Sequence, residues 1–264
     1  MQWRNVLIAG ILGSLDEKIE VNRRKIAELE ALAKTIYDYW FVQFDFPDAN
    51  GKPYKSSGGE MEWKQELKFA VPVGWDVGTI FEVSDLLVGG TPSKKNPDYW
   101  NGSIPFWGPT DYKGIFQFTT AETITQLGYE HCSSDLLPEN ATIITARGSI
   151  GKVAMVGVPM AMNQSCFAFS AHDDNFSFIY YLSKQLVDQL KIRSSGSVFD
   201  SFISSDLKNV ILPIGTPETR KEFSKIANPI FTEIKNCSIA INEFIQLRDT
   251  LLPLLMNGQV NVAE

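Results

Sequence analysis

Ile8, Leu12, Leu15, Ile19, Asn22, Ile26, Leu29, Ala33, Ile36 and Trp40 follow one another at alternating spacings of four and three residues. That spacing lays an apolar seam along one face of a single long helix, from about Ile8 to Phe44. Such a stripe must be covered, either by another helix or by a domain. We read it as a coiled-coil seam; the same stripe would also suit a helix packed on its own domain. Asn22 is the polar seam position, and a buried Asn costs stability while penalising wrong registers. Ser14 and Glu17 have capping-box spacing, which marks a local helix start.

The pattern returns near the other end. Ala227, Ile230, Ile234, Cys237, Ile241, Phe244, Arg248, Leu251 and Leu255 again step by three and four. Thr216-Pro217-Glu218 is a good helix start, and Asn257-Gly258 a stop. Pro229 and Pro253 lie inside this pattern and should kink or interrupt it.

Between the helices the character changes. Pro47, Gly51, Pro53 and the run Ser56-Ser57-Gly58-Gly59 read as a loop or linker. From about residue 70, short β-rich runs (Thr142–Thr145, Val153–Val156, Cys166–Ser170, Val210–Ile214) alternate with turns, and Phe176–Lys191 reads as helix. The expected fold class is α+β: one mixed α/β domain flanked by two long helices forming an antiparallel coiled coil. Its segments are a helix over 1–46, a linker over 47–69, the domain over 70–213 and a distal helix over 214–264.

No apolar run reaches the roughly 18 residues that a membrane span needs. The stretch Val6–Leu12 follows Arg4, but it lacks a small-residue cleavage pattern and runs straight into Asp16-Glu17-Lys18. The three cysteines, Cys132, Cys166 and Cys237, are odd in number and widely spaced, which points to a reducing cytoplasm and away from a disulfide scaffold or zinc cluster. The net charge of −7 is the wrong sign for a nucleic-acid binder. Residues 70–212 are the most acidic part, with 9 Lys and Arg against 14 Asp and Glu. A DNA-reading role would need the basic residues gathered on one loop face, or a partner supplying phosphate affinity.

The motifs that look chemical fail on their spacing. Ala146 to Val153 contains part of a P-loop, but Ala146 stands where that loop needs Gly, and Val153 where it needs Ser or Thr. We read this segment as a Gly-rich turn presenting Arg147 and Lys152. Asn96-Pro97-Asp98-Tyr99 differs by one residue from the Asn-Pro-Pro-Tyr motif of amino-group DNA methyltransferases and reads as a turn packing Tyr99 and Trp100. His131, Cys132 and His172 lack the spacing of a metal site or a Cys–His dyad. No catalytic or metal site is expected. What remains is a set of polar loops: Gly89–Lys95, Trp107–Lys113, Arg147–Lys152, Asn163-Gln164 and Ser194–Ser197. Arg, Lys, Asn and Gln make the contacts that read base edges, while Ser and Thr hold phosphates.

Several blocks, in order along the chain, resemble the specificity subunits of type I restriction–modification systems. Leu12 to Asn22, continuing to Ile36–Phe44, is similar to their central conserved helix. Gly89-Gly90-Thr91-Pro92-Ser93 with Asn96–Trp100, and Arg147–Lys152 with Asn163-Gln164, are similar to their target-recognition domains. Ser205–Asn209 before Leu212-Pro213 is similar to the family's exit into the distal helix, and Leu247–Leu255 looks like that helix's end. The resemblance implies a non-catalytic cytoplasmic subunit that binds double-stranded DNA and positions methylation subunits, with restriction subunits in the full complex. S-adenosylmethionine then belongs to the partner methylation subunit, and this chain carries no cofactor. The expected DNA-facing set is Thr91, Ser93, Lys94, Lys95, Asp111, Lys113, Arg147, Ser149, Lys152, Asn163, Gln164 and Ser197. Family members carry two recognition domains, so this chain resembles a half-length form. It would read one half of a gapped site alone, as a homodimer, or beside a separate chain. A coiled-coil scaffold gripping a protein partner is the alternative, which the acidic balance favours.

Overall fold

The computed structural model describes residues 2–193 and 201–257, with side chains from residue 8 onward. By its contacts the chain divides into two compact units: residues up to Ala33 together with those from Pro229 onward, and Lys34–Asn228.

Helix α1 (Gln2–Tyr37) is unbroken and passes into one π-helical turn, Asp38–Val42. The expected start at Ser14 is therefore corrected: its hydroxyl donates to the Ile11 carbonyl (2.8 Å) within the helix. Asn22 likewise turns back, donating Nδ2–H to the Lys18 carbonyl (2.9 Å). The last helix of the chain, Pro217–Met256, begins as its sequence asks, with the Thr216 hydroxyl accepting from the Thr219 amide (3.1 Å). It continues through Pro229 and Pro253, so neither proline interrupts it. Each proline removes one intrahelical donor, which the remaining ladder and the packed face tolerate.

In the first unit the seam residues are the covered ones. Leu15, Ile19 and Ala33 are buried on one helix, as are Ile234, Cys237 and Leu255 on the other. Leu12, Asn22, Ile26, Leu29, Ile241, Phe244 and Leu251 are half-buried. Lys25 pairs with Glu233, Arg248 Nη1 lies 3.0 Å from Asp16 Oδ1, and Lys18 Nζ stands 5.4 Å from the Phe244 ring centre. Partner numbers fall on one helix as they rise on the other, the order of antiparallel neighbours.

The second unit is mixed α and β. Strands β1 (Met61–Lys64) and β2 (Phe69–Pro72) form an antiparallel hairpin, so part of the stretch 47–69, read as a linker, is folded. Phe46 stacks on Tyr54 at 4.8 Å and on Trp75 at 5.3 Å, fixing the same stretch to the domain. Strand β3 (Val77–Gly78) is followed by β4 (Ser84–Val88), β5 (Trp100–Trp107), β6 (Phe116–Gln117) and β7 (Glu122–Ile124). A short helix α2 (Gln126–Glu130) precedes β8 (Thr142–Thr145), β9 (Val153–Val156), β10 (Ala161–Met162) and β11 (Cys166–Ala171). The chain then enters α3 (Phe176–Arg193), α4 (Ser204–Lys208), β12 (Leu212–Pro213) and α5, the helix Pro217–Met256.

A five-stranded sheet has the order β4-β11-β8-β9-β6, antiparallel except for the β6–β9 pair. A three-stranded sheet has the order β10-β5-β7. Every residue of β8 and β9 is buried, because α3 packs against these strands and the cluster around Trp107 takes up Ile143, Ala154 and Val156. One core cluster among the described residues joins Trp107, Leu137, Ile143, Ala154, Val156, Met160, Met162 and Ala168. A second cluster is aromatic: Phe41 lies 4.8 Å from Phe178, 5.2 Å from Phe223 and 5.5 Å from Trp75. It fixes the end of α1 against α3 and the start of α5.

Candidate nucleic-acid interface

The 146–152 turn joins two antiparallel strands, β8 and β9, with Gly148 and Gly151 at φ 75° and 81°. A P-loop needs a helix after its glycines, and here a strand follows. Thr145 closes the turn: its hydroxyl donates to the Ser149 carbonyl (2.5 Å) and accepts from the Lys152 amide (3.0 Å). Arg147 and Ser149 are left exposed. Lys152 is half-buried; its Nζ donates to the Pro109 carbonyl (3.2 Å) and lies 5.2 Å from the centre of the Tyr112 ring.

That contact ties the turn to the 108–113 loop. Asp111 is 7 % exposed, with Oδ2 accepting from the Gly108 amide and Oδ1 from the Ala121 amide, both at 2.8 Å. Both oxygens are thus used inside the fold, so Asp111 is corrected from a DNA-facing residue to the clasp of its loop. Lys113 stays exposed, with Nζ 3.4 Å from the Thr119 hydroxyl.

Gly108 in turn lies beside Asn163, whose side-chain nitrogen would sit 3.0 Å from a Cβ built on the glycine. Asn163 is half-buried, and its Oδ1 accepts from the Ser165 amide (3.0 Å) and the Cys166 thiol (3.4 Å). Burial pushes the Cys166 thiol well above its ordinary range, so it remains a protonated donor. Asn163 therefore shapes the turn that presents exposed Gln164.

Gln164 and Thr91 hydrogen-bond through their side chains, across 73 residues of sequence. The two glycines ahead of Thr91 make this approach feasible. A Cβ on Gly89 would collide with the Asn163 carbonyl, and one on Gly90 would lie 2.7 Å from the Ser133 carbonyl carbon. Beyond them Ser93 and Lys95 are exposed, with the Ser93 hydroxyl accepting from the Lys95 amide (3.3 Å). Lys94 pairs with Glu122 and stands 4.0 Å from the centre of the Trp100 ring. Asn96 Oδ1 accepts from the Asp98 amide (3.1 Å) and Tyr99 stacks on His131, so the Asn-Pro-Asp-Tyr segment is a structural turn.

Four loops, 89–95, 108–113, 147–152 and 163–164, are thus linked contact by contact into one polar ribbon. Ser197 lies outside the described residues. Five of the nine basic residues in 70–212 lie on the ribbon: Lys94, Lys95, Lys113, Arg147 and Lys152. Sequence reasoning missed Glu122 and the Pro109 carbonyl, which occupy Lys94 and Lys152. No local signal marks either, because both are distant in sequence from the lysines they hold. Among the described residues no group of His, Cys, Asp and Glu could hold a metal ion, and no helix is long and apolar enough to cross a membrane.

Residues 72–243 match the family model of the type I restriction modification DNA specificity domain, a stretch that contains the whole ribbon. The chain belongs to this family. The MjaIX type I specificity subunit of Methanocaldococcus jannaschii is 31 % identical over 183 residues, 67 % of this chain and 42 % of that protein. The HindI specificity subunit of Haemophilus influenzae is 22 % identical over 304 aligned residues, covering 96 % of this chain and 66 % of that one. The crystal structure of a type I restriction–modification S subunit from M. genitalium superposes with a TM-score of 0.62 at 14 % identity, over 96 % of this chain and 60 % of that one. The mixed α and β fold with long N- and C-terminal helices is therefore one that a specificity subunit also adopts. This chain spans less than two thirds of each of these relatives.

Proposed function

We propose that this type I specificity-family chain reads one half of a gapped site on double-stranded DNA. It does so without catalysis, directing methylation subunits, and restriction subunits in the full complex, to that site. The observation that carries this reading is the match over 72–243, which falls on the domain whose loops form one continuous polar ribbon. Gathering the basic side chains there answers the objection raised by net charge, since local rather than total charge meets the phosphates. Arg147, Gln164 and Thr91 are the base-reading candidates; Ser93, Lys95, Lys113 and Ser149 are the phosphate candidates. S-adenosylmethionine would be bound by the methylation subunit. The paired helices would act as an antiparallel coiled coil, a spacer between this domain and a second one supplied by another copy or another chain. The place of action would be the cytoplasm.

The test is duplex binding by this chain together with its methylation subunit. Arg147→Ala and Gln164→Ala should each cost about 1–3 kcal/mol on the target duplex and relax one position of the motif. Lys95→Ala should weaken all duplexes alike and flatten the salt dependence by about one ion. Unchanged affinity and motif in all three variants would remove the ribbon from the interface. The acidic total of −7 favours the second reading, a coiled-coil scaffold for a protein partner. A stable homo-oligomer that fails to retain a methylation subunit would support it.

A further inference from the structure

The ribbon residues assigned to DNA are polar or charged, yet a duplex also offers apolar surface in its thymine methyl groups and deoxyribose C–H groups. One aromatic side chain of the ribbon reaches solvent: Tyr112, 37 % exposed. Exposed rings are common on protein surfaces, and this one differs in how firmly it is held. It follows the short turn Pro109–Asp111 with unstrained backbone angles, φ −59° and ψ 118°. Asp111 before it is clasped by the Gly108 and Ala121 amides. Lys113 after it donates its amide to Oε1 of Gln117 (3.3 Å), a side chain only 1 % exposed.

The ring is held from the neighbouring turn as well. Lys152 Nζ stands 5.2 Å from the Tyr112 ring centre and donates to the Pro109 carbonyl (3.2 Å), while the Lys152 amide is fixed on the Thr145 hydroxyl (3.0 Å). A side chain ordered before binding loses little freedom on binding, which is the property of an interface anchor. By the same contacts Lys152 is a poor phosphate ligand, since reaching a phosphate would break both. Elsewhere on the ribbon Lys94 pairs with Glu122 and stands over Trp100 in the same way. There the ring is half-buried and donates Nε1–H to the Ser93 carbonyl (3.2 Å), so Trp100 supports its loop while Tyr112 is the ring presented outward.

We propose that Tyr112 is a DNA contact of the ribbon, laying its ring on apolar C–H surface of the duplex, and that Lys152 is the positioning residue that holds the ring. This rests on the DNA-reading role proposed above. The experiment is a fluorescence-anisotropy titration of the full chain and its methylation subunit with a duplex carrying the motif they methylate. Tyr112→Ala should weaken binding about tenfold, and Tyr112→Phe should keep wild-type affinity, because the ring makes the contact and the hydroxyl does not. Should the alanine variant fail to melt cooperatively, Tyr112→Gln, which also lacks the ring, takes its place. Lys152→Ala should weaken binding about fivefold and add little to Tyr112→Ala, whereas two independent contacts would multiply. It should leave the salt dependence unchanged, where a lost phosphate contact would lower the slope by about one ion. With deoxyuridine in place of thymidine, a loss seen in the wild type and not in Tyr112→Ala assigns the ring to a thymine methyl. No loss specific to the wild type assigns it to a deoxyribose. Wild-type affinity in Tyr112→Ala, or Tyr112→Phe as weak as Tyr112→Ala, overturns the ring contact, and a multiplicative effect of Lys152→Ala overturns the positioning role. A wild-type complex that does not bind the duplex removes the DNA-reading role itself. Arg147→Ala weakened beside an indifferent Tyr112→Ala removes Tyr112 alone.

Discussion

Asp111 and Asp45 show how carboxylates in this chain organise backbone. Asp111 accepts from two amides, Gly108 and Ala121. Asp111→Ala should leave both donors without their acceptor and destabilise by about 1–3 kcal/mol, read as a fall in melting temperature. A melt unchanged from wild type would show the clasp to be dispensable. Asp45 accepts from the Ser56 amide (2.7 Å) and hydroxyl (2.6 Å), and these bonds hold its carboxyl below the usual aspartate range. A depressed folded value means stability present above the unfolded pKa of about 3.9 and lost as pH falls through the folded one. The melting-temperature gap between wild type and Asp45→Ala should therefore be full at neutral pH and shrink only below about pH 4; a gap independent of pH would contradict the assignment. Polarity and turn-forming composition marked the site's loops in the sequence. Whether a given side chain faces outward was not legible, as Asp111 shows: its two amide partners lie in the folded loop, one of them ten residues away.

The elements were more legible than the side chains, because periodicity is a property of sequence. The seam from Leu12 to Ile36 and its counterpart from Ile234 to Leu251 coincide with covered positions, and the β8, β9 and β11 runs lie where β-rich segments sit between turns. The hairpin β1–β2 was hidden, since Pro and Gly around it gave the composition of a linker, while the aromatic anchors Phe46, Tyr54 and Trp75 act through contacts that spacing does not reveal. Continuity of α5 was likewise hidden: a proline costs one hydrogen bond, and tertiary packing decides whether a helix survives it. Within the helix pair, apolar contact should outweigh charge. Ile19→Ala and Ile234→Ala, at 3 % and 0 % exposure, should each cost about 2–5 kcal/mol. Breaking the exposed, solvent-screened Lys25–Glu233 pair with Lys25→Ala should cost less than either isoleucine variant. Chemical denaturation of the three variants checks the order; an ion-pair variant less stable than either isoleucine variant would reverse it.

At the scale of the whole molecule, the DNA-reading role proposed for an acidic chain rests on its membership of a specificity family and on basic side chains left exposed on one ribbon, Lys95, Lys113 and Arg147. The central claim is that this chain chooses where a methylation subunit acts. Single-molecule mapping of methylated adenines tests it directly, in a host carrying this gene beside its methylation subunit, compared with a deletion and with an Arg147→Ala, Gln164→Ala double variant. The account predicts a gapped motif that disappears on deletion and is lost or relaxed in the double variant, with a symmetric motif if two copies pair. Methylation unchanged by the deletion would contradict it.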